Sequence, residues 1–280
     1  MIDFSKLLES LETAMRAGYA PPPHLLRKMN ADIPLDREML RYTLEGGPAG
    51  GYFHWLALLT RILQPRTILE LGNRYGNSTI LIYAELAAAS QLISVDLERD
   101  QRYIPEEVWN DPRVKMRFGD CLDLSIYGDD LPLDVDVLWT DTVHIYDQVK
   151  AEFVVYEPLL ADDALVVVDD INLNDKRKFF DEAPFAKFDL TTSCHTTGFG
   201  VIHYVRPPSE RGKSRETRQL TATLRANQIF AQRYWAQVGH ISELEEIRAR
   251  SLVLPRSVKR ALGATARALG VTRITSSRQF

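Results

Sequence analysis

Two successive apolar runs of this sequence end in carboxylates: VDVLWTD at 135–141 closes on Asp141, and ALVVVDD at 164–170 closes on Asp169 and Asp170. If these runs are neighbouring strands, about 4.8 Å apart, the three acids meet at one edge of a sheet. Unpaired, they repel one another, and either a cation or shared protons must relieve the repulsion. Hard oxygen ligands with room left for water or substrate suit Mg²⁺, with Mn²⁺ or Ca²⁺ as substitutes. His144 follows Asp141 by three residues. A group that titrates near neutral pH therefore stands close to the acids.

A second constellation precedes it. The run TILEL at 67–71 leads into Gly72-Asn73-Arg74-Tyr75-Gly76-Asn77-Ser78, and a helical stretch follows. Glycines at 72 and 76 allow a sharp turn and a close approach of backbone to ligand. The helix start behind the turn offers free N–H groups to a carboxylate or phosphate. Asp96 closes the next run, LISVD at 92–96, where a carboxylate is placed to accept ribose hydroxyls. Asp120 closes VKMRFGD at 114–120, within reach of an adenine amino group.

These acids and glycines need a scaffold that brings strand ends together. The five runs alternate with helix-like stretches such as NSTILIYAELAAA and IYDQVKAEFVVYEPLL. Continuous apolar strands between helices are the mark of a parallel sheet covered on both faces, built from right-handed strand–helix–strand units. Two later runs, KFDLTTSC at 187–194 and FGVIHYVR at 199–206, are joined by the short HTTG and predict an antiparallel hairpin. The expected fold is α/β, Rossmann-like and doubly wound.

Residues 45–206 resemble the class I S-adenosylmethionine-dependent methyltransferases. LELGNRYGNSTI is similar to their glycine-rich first motif, Val95-Asp96 to their ribose-binding acid, and GDCLD at 119–123 to their adenine-contacting segment. The resemblance implies a seven-stranded sheet in the order 3-2-1-4-5-7-6 with the last strand antiparallel. It implies S-adenosylmethionine binding by Glu70, Gly72, Asn73, Gly76, Ser78, Asp96, Asp120 and Asp141. A dinucleotide dehydrogenase is the nearest competitor, but it wants G-x-G-x-x-G, and residue 74 here is arginine.

The chemical half resembles the metal-dependent O-methyltransferases, both the catechol-type enzymes and those acting on sugars of macrolide antibiotics. That resemblance implies Asp141, Asp169 and Asp170 as metal ligands and His144 as general base, with Asp141 also at the cofactor. Catechol-type relatives carry lysine where His144 stands, which tilts the expectation to a sugar or glycosylated natural product, in a bacterial biosynthetic pathway. A metal-held hydroxyl is more acidic, a histidine can take its proton, and alignment of the two reactants supplies much of the rate. Two alternatives stay open: a catechol or phenol O-methyltransferase, and a non-catalytic cofactor-binding scaffold. A related group named for cephalosporin hydroxylation shares the fold and the acidic pair.

Around this core the sequence divides into an N-terminal helical cap or lid (1–44), the cofactor-binding domain (45–206) and a helical C-terminal extension (207–280). The charge is uneven: residues 206–280 carry 15 Lys/Arg against 5 Asp/Glu, leaving 19 against 33 of the chain's 34 and 38 for residues 1–205. The seam, RPPSERGKSRETR, reads as a linker. The basic end reads as an oligomer arm, a peripheral membrane helix or a solvated end, and the extra helices leave room for a homo-oligomer. It lacks interleaved aromatics and the body is acidic, which disfavours nucleic acid. No apolar run nears the 18 to 20 residues of a membrane span, and the N-terminus lacks a secretory layout. With two separated cysteines, Cys121 and Cys194, the expectation is a cytoplasmic protein. Lys176, Arg177 and Lys178 read as a solvated charge run, and His195 as a residue near the substrate mouth without an assigned role.

Overall fold

Seven strands form one sheet in the order β3-β2-β1-β4-β5-β7-β6. They are β1 (Thr67–Leu71), β2 (Gln91–Asp96), β3 (Val114–Phe118), β4 (Val135–Thr140), β5 (Leu160–Asp169), β6 (Ala186–Asp189) and β7 (Phe199–Val205). Every pairing is parallel except those of β7, which runs antiparallel to both β5 and β6. The expected order and orientation are thus observed. The computed structural model describes residues 2–21, 52–101, 104–194 and 197–253. His195, most of the N-terminal cap and the basic end beyond residue 253 lie outside the described residues.

The order places the switch of winding direction between β1 and β4. There the chain leaves toward β2 on one side and β5 on the other, and ligands bind outside the carboxyl ends at such a point. The register aligns these ends: Leu71 pairs with Val95 and with Thr140, and Thr140 with Val168. One residue beyond these partners stand Gly72, Asp141 and Asp169.

Strands β1, β2, β4 and β5 are buried and apolar along most of their length because helices cover both faces. On one face α1 (Phe4–Arg16) and α2 (Tyr52–Leu63) pack into the main core through Leu7, Leu11, Trp55, Leu56 and Leu59. α3 (Asn77–Ala84) has no polar face, since Asn77 through Ile82 are all buried. The helix is enclosed rather than amphipathic. A short α4 (Glu106–Trp109), α5 (Tyr146–Tyr156), α6 (Lys176–Glu182) and α7 (Arg215–Val253) complete the helices.

Two boundaries differ from the sequence reading. β5 starts at Leu160, because Asp162 and Asp163 are held within it by neighbours: Arg206 donates to Asp162 (2.6 Å), and His203 and the amide of Ile2 meet Asp163 (both 2.7 Å). The expected seam near 207 is also not a free linker. Arg206 and Arg218 are buried and donate to the carbonyls of Pro158 and Leu160, so the compact body runs from residue 1 to 227, with residues 228–280 as a second unit. α1 belongs to that body, with Leu7 and Leu11 in its core. Among the described residues no helix is long and apolar enough to cross a membrane.

Candidate active site

The turn after β1 is built around two left-handed glycines, Gly72 (φ +86°) and Gly76 (φ +94°). A Cβ on Gly76 would stand 2.2 Å from Ile104 Cγ1, and one on Gly72 would stand 2.2 Å from the backbone oxygen of Asp141. Neither position admits a side chain. Gly76 precedes α3 and closes the turn by donating its amide to the Asn73 carbonyl (2.7 Å).

Glu70 and Ser78 lie beneath this turn rather than at its surface. Ser78 Oγ donates to Glu70 Oε1 (2.5 Å), Thr79 Oγ1 to Oε2 (2.6 Å), and Ser94 Oγ also donates to Oε2. Glu70 is fully enclosed, and burial pushes its carboxyl up to about 7 against the pull of the three hydroxyls. Asn73 is buried as well: its Nδ2 donates to Ser94 Oγ (2.6 Å) and its Oδ1 accepts from Gln101 (2.9 Å). These side chains tie the turn to β2, so the cofactor contact expected of them passes through the backbone they hold.

Asp96 stands at the tip of β2 and is already occupied on three of about four acceptor positions. The amides of Asn73 and Arg74 donate to Oδ2 (2.9 and 2.6 Å), and the amide of Glu98 donates to Oδ1 (3.0 Å). Among the described residues these three amides leave acceptor capacity on Oδ1. Asp120 accepts the Leu122 amide on Oδ1 (2.9 Å) and keeps Oδ2 for another donor. These vacant acceptors at adjacent strand tips fit the hydroxyl and amino donors of an adenosyl group.

Across the switch point, Asp141, His144 and Asp170 bring one ligand atom each within 4.8 Å of one another. His144 Nε2 lies 3.4 Å from Asp170 Oδ2, and its Nδ1 is enclosed with no hydrogen-bond partner among the described residues. Asp169 is buried and shares a hydrogen bond with Asp141. Asp141 therefore sits well above the usual carboxylate range, first by burial and then through the charge of Asp169. A cation would relieve both costs, so the donor set fits a hard divalent ion. The closest geometric trio contains His144 where the sequence reading had Asp169.

Burial, followed by the charge of Lys176, lowers His144 from its ordinary value. Both causes favour the neutral imidazole. Asp170 (φ +51°) and Asn174 (φ +50°) bend the loop after β5 back over this site. Asn174 Nδ2 donates to the His144 carbonyl (2.8 Å), and Asp175 Oδ1 accepts the Tyr146 amide (2.8 Å).

Two functional residues escaped the sequence reading. Lys176, expected in solvent, is completely buried among these acids, whereas Arg177 and Lys178 are exposed. The signal was its spacing, since Lys176, Phe179 and Phe180 share the buried face of α6. Glu152 on α5 is the other. It accepts from Thr140 Oγ1 (2.5 Å), from Thr142 Oγ1 and from Gln148 Nε2 (2.7 Å), clasping both neighbours of Asp141. Its place in line with the buried Val149 and Val155 marked it as inward-facing.

Residues 69–171, from β1 to just past β5, match a family model described as a methyltransferase domain. A methyltransferase from Geobacter sulfurreducens is 17% identical with a TM-score of 0.50, over 70% of this chain and 96% of that one. An SAH-bound methyltransferase from Podospora anserina is 13% identical with a TM-score of 0.50, over 74% and 98%. The O-methyltransferase TomG from Streptomyces achromogenes is 16% identical with a TM-score of 0.49, over 74% and 100%. The chain has the Rossmann-like methyltransferase fold, and its methyltransferase-domain match spans the glycine turn and all three acids of the site.

Proposed function

We propose that this chain is an S-adenosylmethionine-dependent O-methyltransferase that methylates a hydroxyl of a sugar or glycosylated natural product with the help of Mg²⁺. The observation that carries this reading is the meeting of Asp141, His144 and Asp170 within 4.8 Å, with Asp141 packed directly against Gly72 of the cofactor turn. Proton acceptor, cation ligands and methyl donor would then converge on one hydroxyl.

Asp96 and Asp120 would hold the ribose and adenine, with Glu70, Asn73 and Ser78 fixing the turn from below. Asp141, Asp169 and Asp170 would hold the cation once the proton between Asp141 and Asp169 has left. When bound, that ion makes a nearby hydroxyl more acidic and fixes its orientation. His144, whose Nε2 faces Asp170 beside Asp141, would take the hydroxyl proton. The O–C bond forms as the C–S bond of the sulfonium breaks, leaving S-adenosylhomocysteine. Holding oxygen, methyl carbon and sulfur in line supplies much of the rate.

The grouping of His144 with Asp141 and Asp170 favours a second reading, in which His144 is itself a ligand. A catechol or phenol acceptor is the other variant, and it uses the same acids. The test is transfer of a labelled methyl group from S-adenosylmethionine to a panel of glycosides and catechols, with Mg²⁺ and then with chelator. Labelled glycosides formed only with the metal support the reading; labelled catechols alone move it to phenols; no transfer to any hydroxyl rejects it.

A further inference from the structure

Lys176 opens α6, is completely enclosed, and has no hydrogen-bond partner for its Nζ among the described residues. Such a group is costly to bury unless something nearby uses its charge. Its backbone amide is fixed to the Leu173 carbonyl (3.2 Å), inside the loop that starts at Asp170 and is stitched to His144 by Asn174. Its charge reaches both Asp141 and His144, while no hydrogen bond from a described residue takes up its Nζ. The ammonium thus serves the acid cluster as a whole.

We propose that Lys176 is a built-in counter-charge that sets the cation affinity and occupancy of the Asp141–Asp169–Asp170 cluster. This rests on the cation reading given above. Once the proton between Asp141 and Asp169 has left, as ion binding requires, three carboxylates and one ammonium carry a net charge of −2, which one divalent ion neutralises. Without the ammonium the cluster carries −3, and a divalent ion meets no like charge on entering. Lys176 accordingly weakens cation binding and holds the site to a single ion that can exchange. Because the ammonium is buried, solvent and salt screen this repulsion little.

The experiment is calorimetric titration of Mg²⁺, and separately Mn²⁺, into the full chain and into Lys176→Met, Lys176→Gln and Lys176→Arg. Methionine keeps the length and apolar stem, glutamine a polar end, and arginine the charge. The expected result is binding tightened by about tenfold or more in the two neutral variants, from removal of a close like charge. The arginine variant should stay within about threefold of the parent. Parental or weaker binding in both folded neutral variants, while the parent binds one ion, overturns the role of Lys176 alone. A parent that takes up no divalent ion overturns the cation reading and this proposal with it.

Discussion

Gly72 lies so close beneath Asp141 that a Cβ there would stand 2.2 Å from the Asp141 carbonyl oxygen. The end of β1 and the end of β4 are therefore one contact, and the cofactor turn cannot move without the chemical strand. The Asp141 amide reinforces it by donating to the Leu71 carbonyl (2.8 Å), while the Gly72 amide ties the turn to β2 by donating to the Val95 carbonyl (2.8 Å). Gly72→Ala adds left-handed strain of about 1–2 kcal/mol to this clash. The variant should melt several degrees lower and bind S-adenosylhomocysteine at least about tenfold more weakly. Parental affinity in a folded alanine variant would show that the turn is free of β4.

Glu152 is the residue that holds the Asp141 loop, through Thr140 on one side and Thr142 on the other. Glu152→Ala leaves these hydroxyls and Gln148 without their acceptor, at about 1–3 kcal/mol for a buried group. Because Asp141 is displaced rather than removed, the turnover rate should fall more than the affinity for S-adenosylhomocysteine. Glu152→Gln, which keeps one acceptor oxygen, should recover part of the rate. Equal loss of both quantities, or no rescue by glutamine, would reduce Glu152 to a packing role.

His144 separates base from ligand. As a base, its replacement by alanine lowers turnover by about 10²- to 10⁴-fold and leaves Mg²⁺ affinity within about twofold. As a ligand, Mg²⁺ binding itself falls by at least about tenfold. Paired calorimetry and turnover on one preparation of His144→Ala decide between the two.

Glu70 makes stability depend on pH. Its folded value of about 7 lies above the unfolded value of 4.5, so the native state keeps a proton that the unfolded chain has released. Stability from this group is therefore intact below pH 4.5 and declines as the pH rises to 7, by at most about 3 kcal/mol. Glu70→Gln lacks this titration. Urea unfolding at pH 5 and pH 8 should show the glutamine variant gaining on the parent at the higher pH. A gap between the two that is constant with pH would remove Glu70 from the account.

The strand ends were legible in the sequence for a physical reason. β1, β2, β4 and β5 are buried along most of their length, so their apolar runs are dense and the residue that closes or follows each is conspicuous. That exposed Asp96, Asp141, Asp169 and the Gly72 turn to a reading by position alone. Lys176 was misread because two exposed cations follow it, and only the helical spacing to Phe179 and Phe180 distinguishes it from them. Asp162 and Asp163 fall outside the apolar run at 164–170 because their partners, Arg206 and His203, lie some 40 residues away in sequence. The burial of Ser78 and Glu70 follows from α3 being enclosed on all sides, which its composition alone does not separate from an exposed cap.

The most direct test of the account is calorimetric titration of S-adenosylhomocysteine into the parent chain and into Asp96→Ala. The account predicts saturable binding of one molecule per chain, weakened at least about tenfold in the variant, which loses both a ribose acceptor and the anchor of the Asn73 and Arg74 amides. A folded parent chain that takes up no S-adenosylhomocysteine would contradict it.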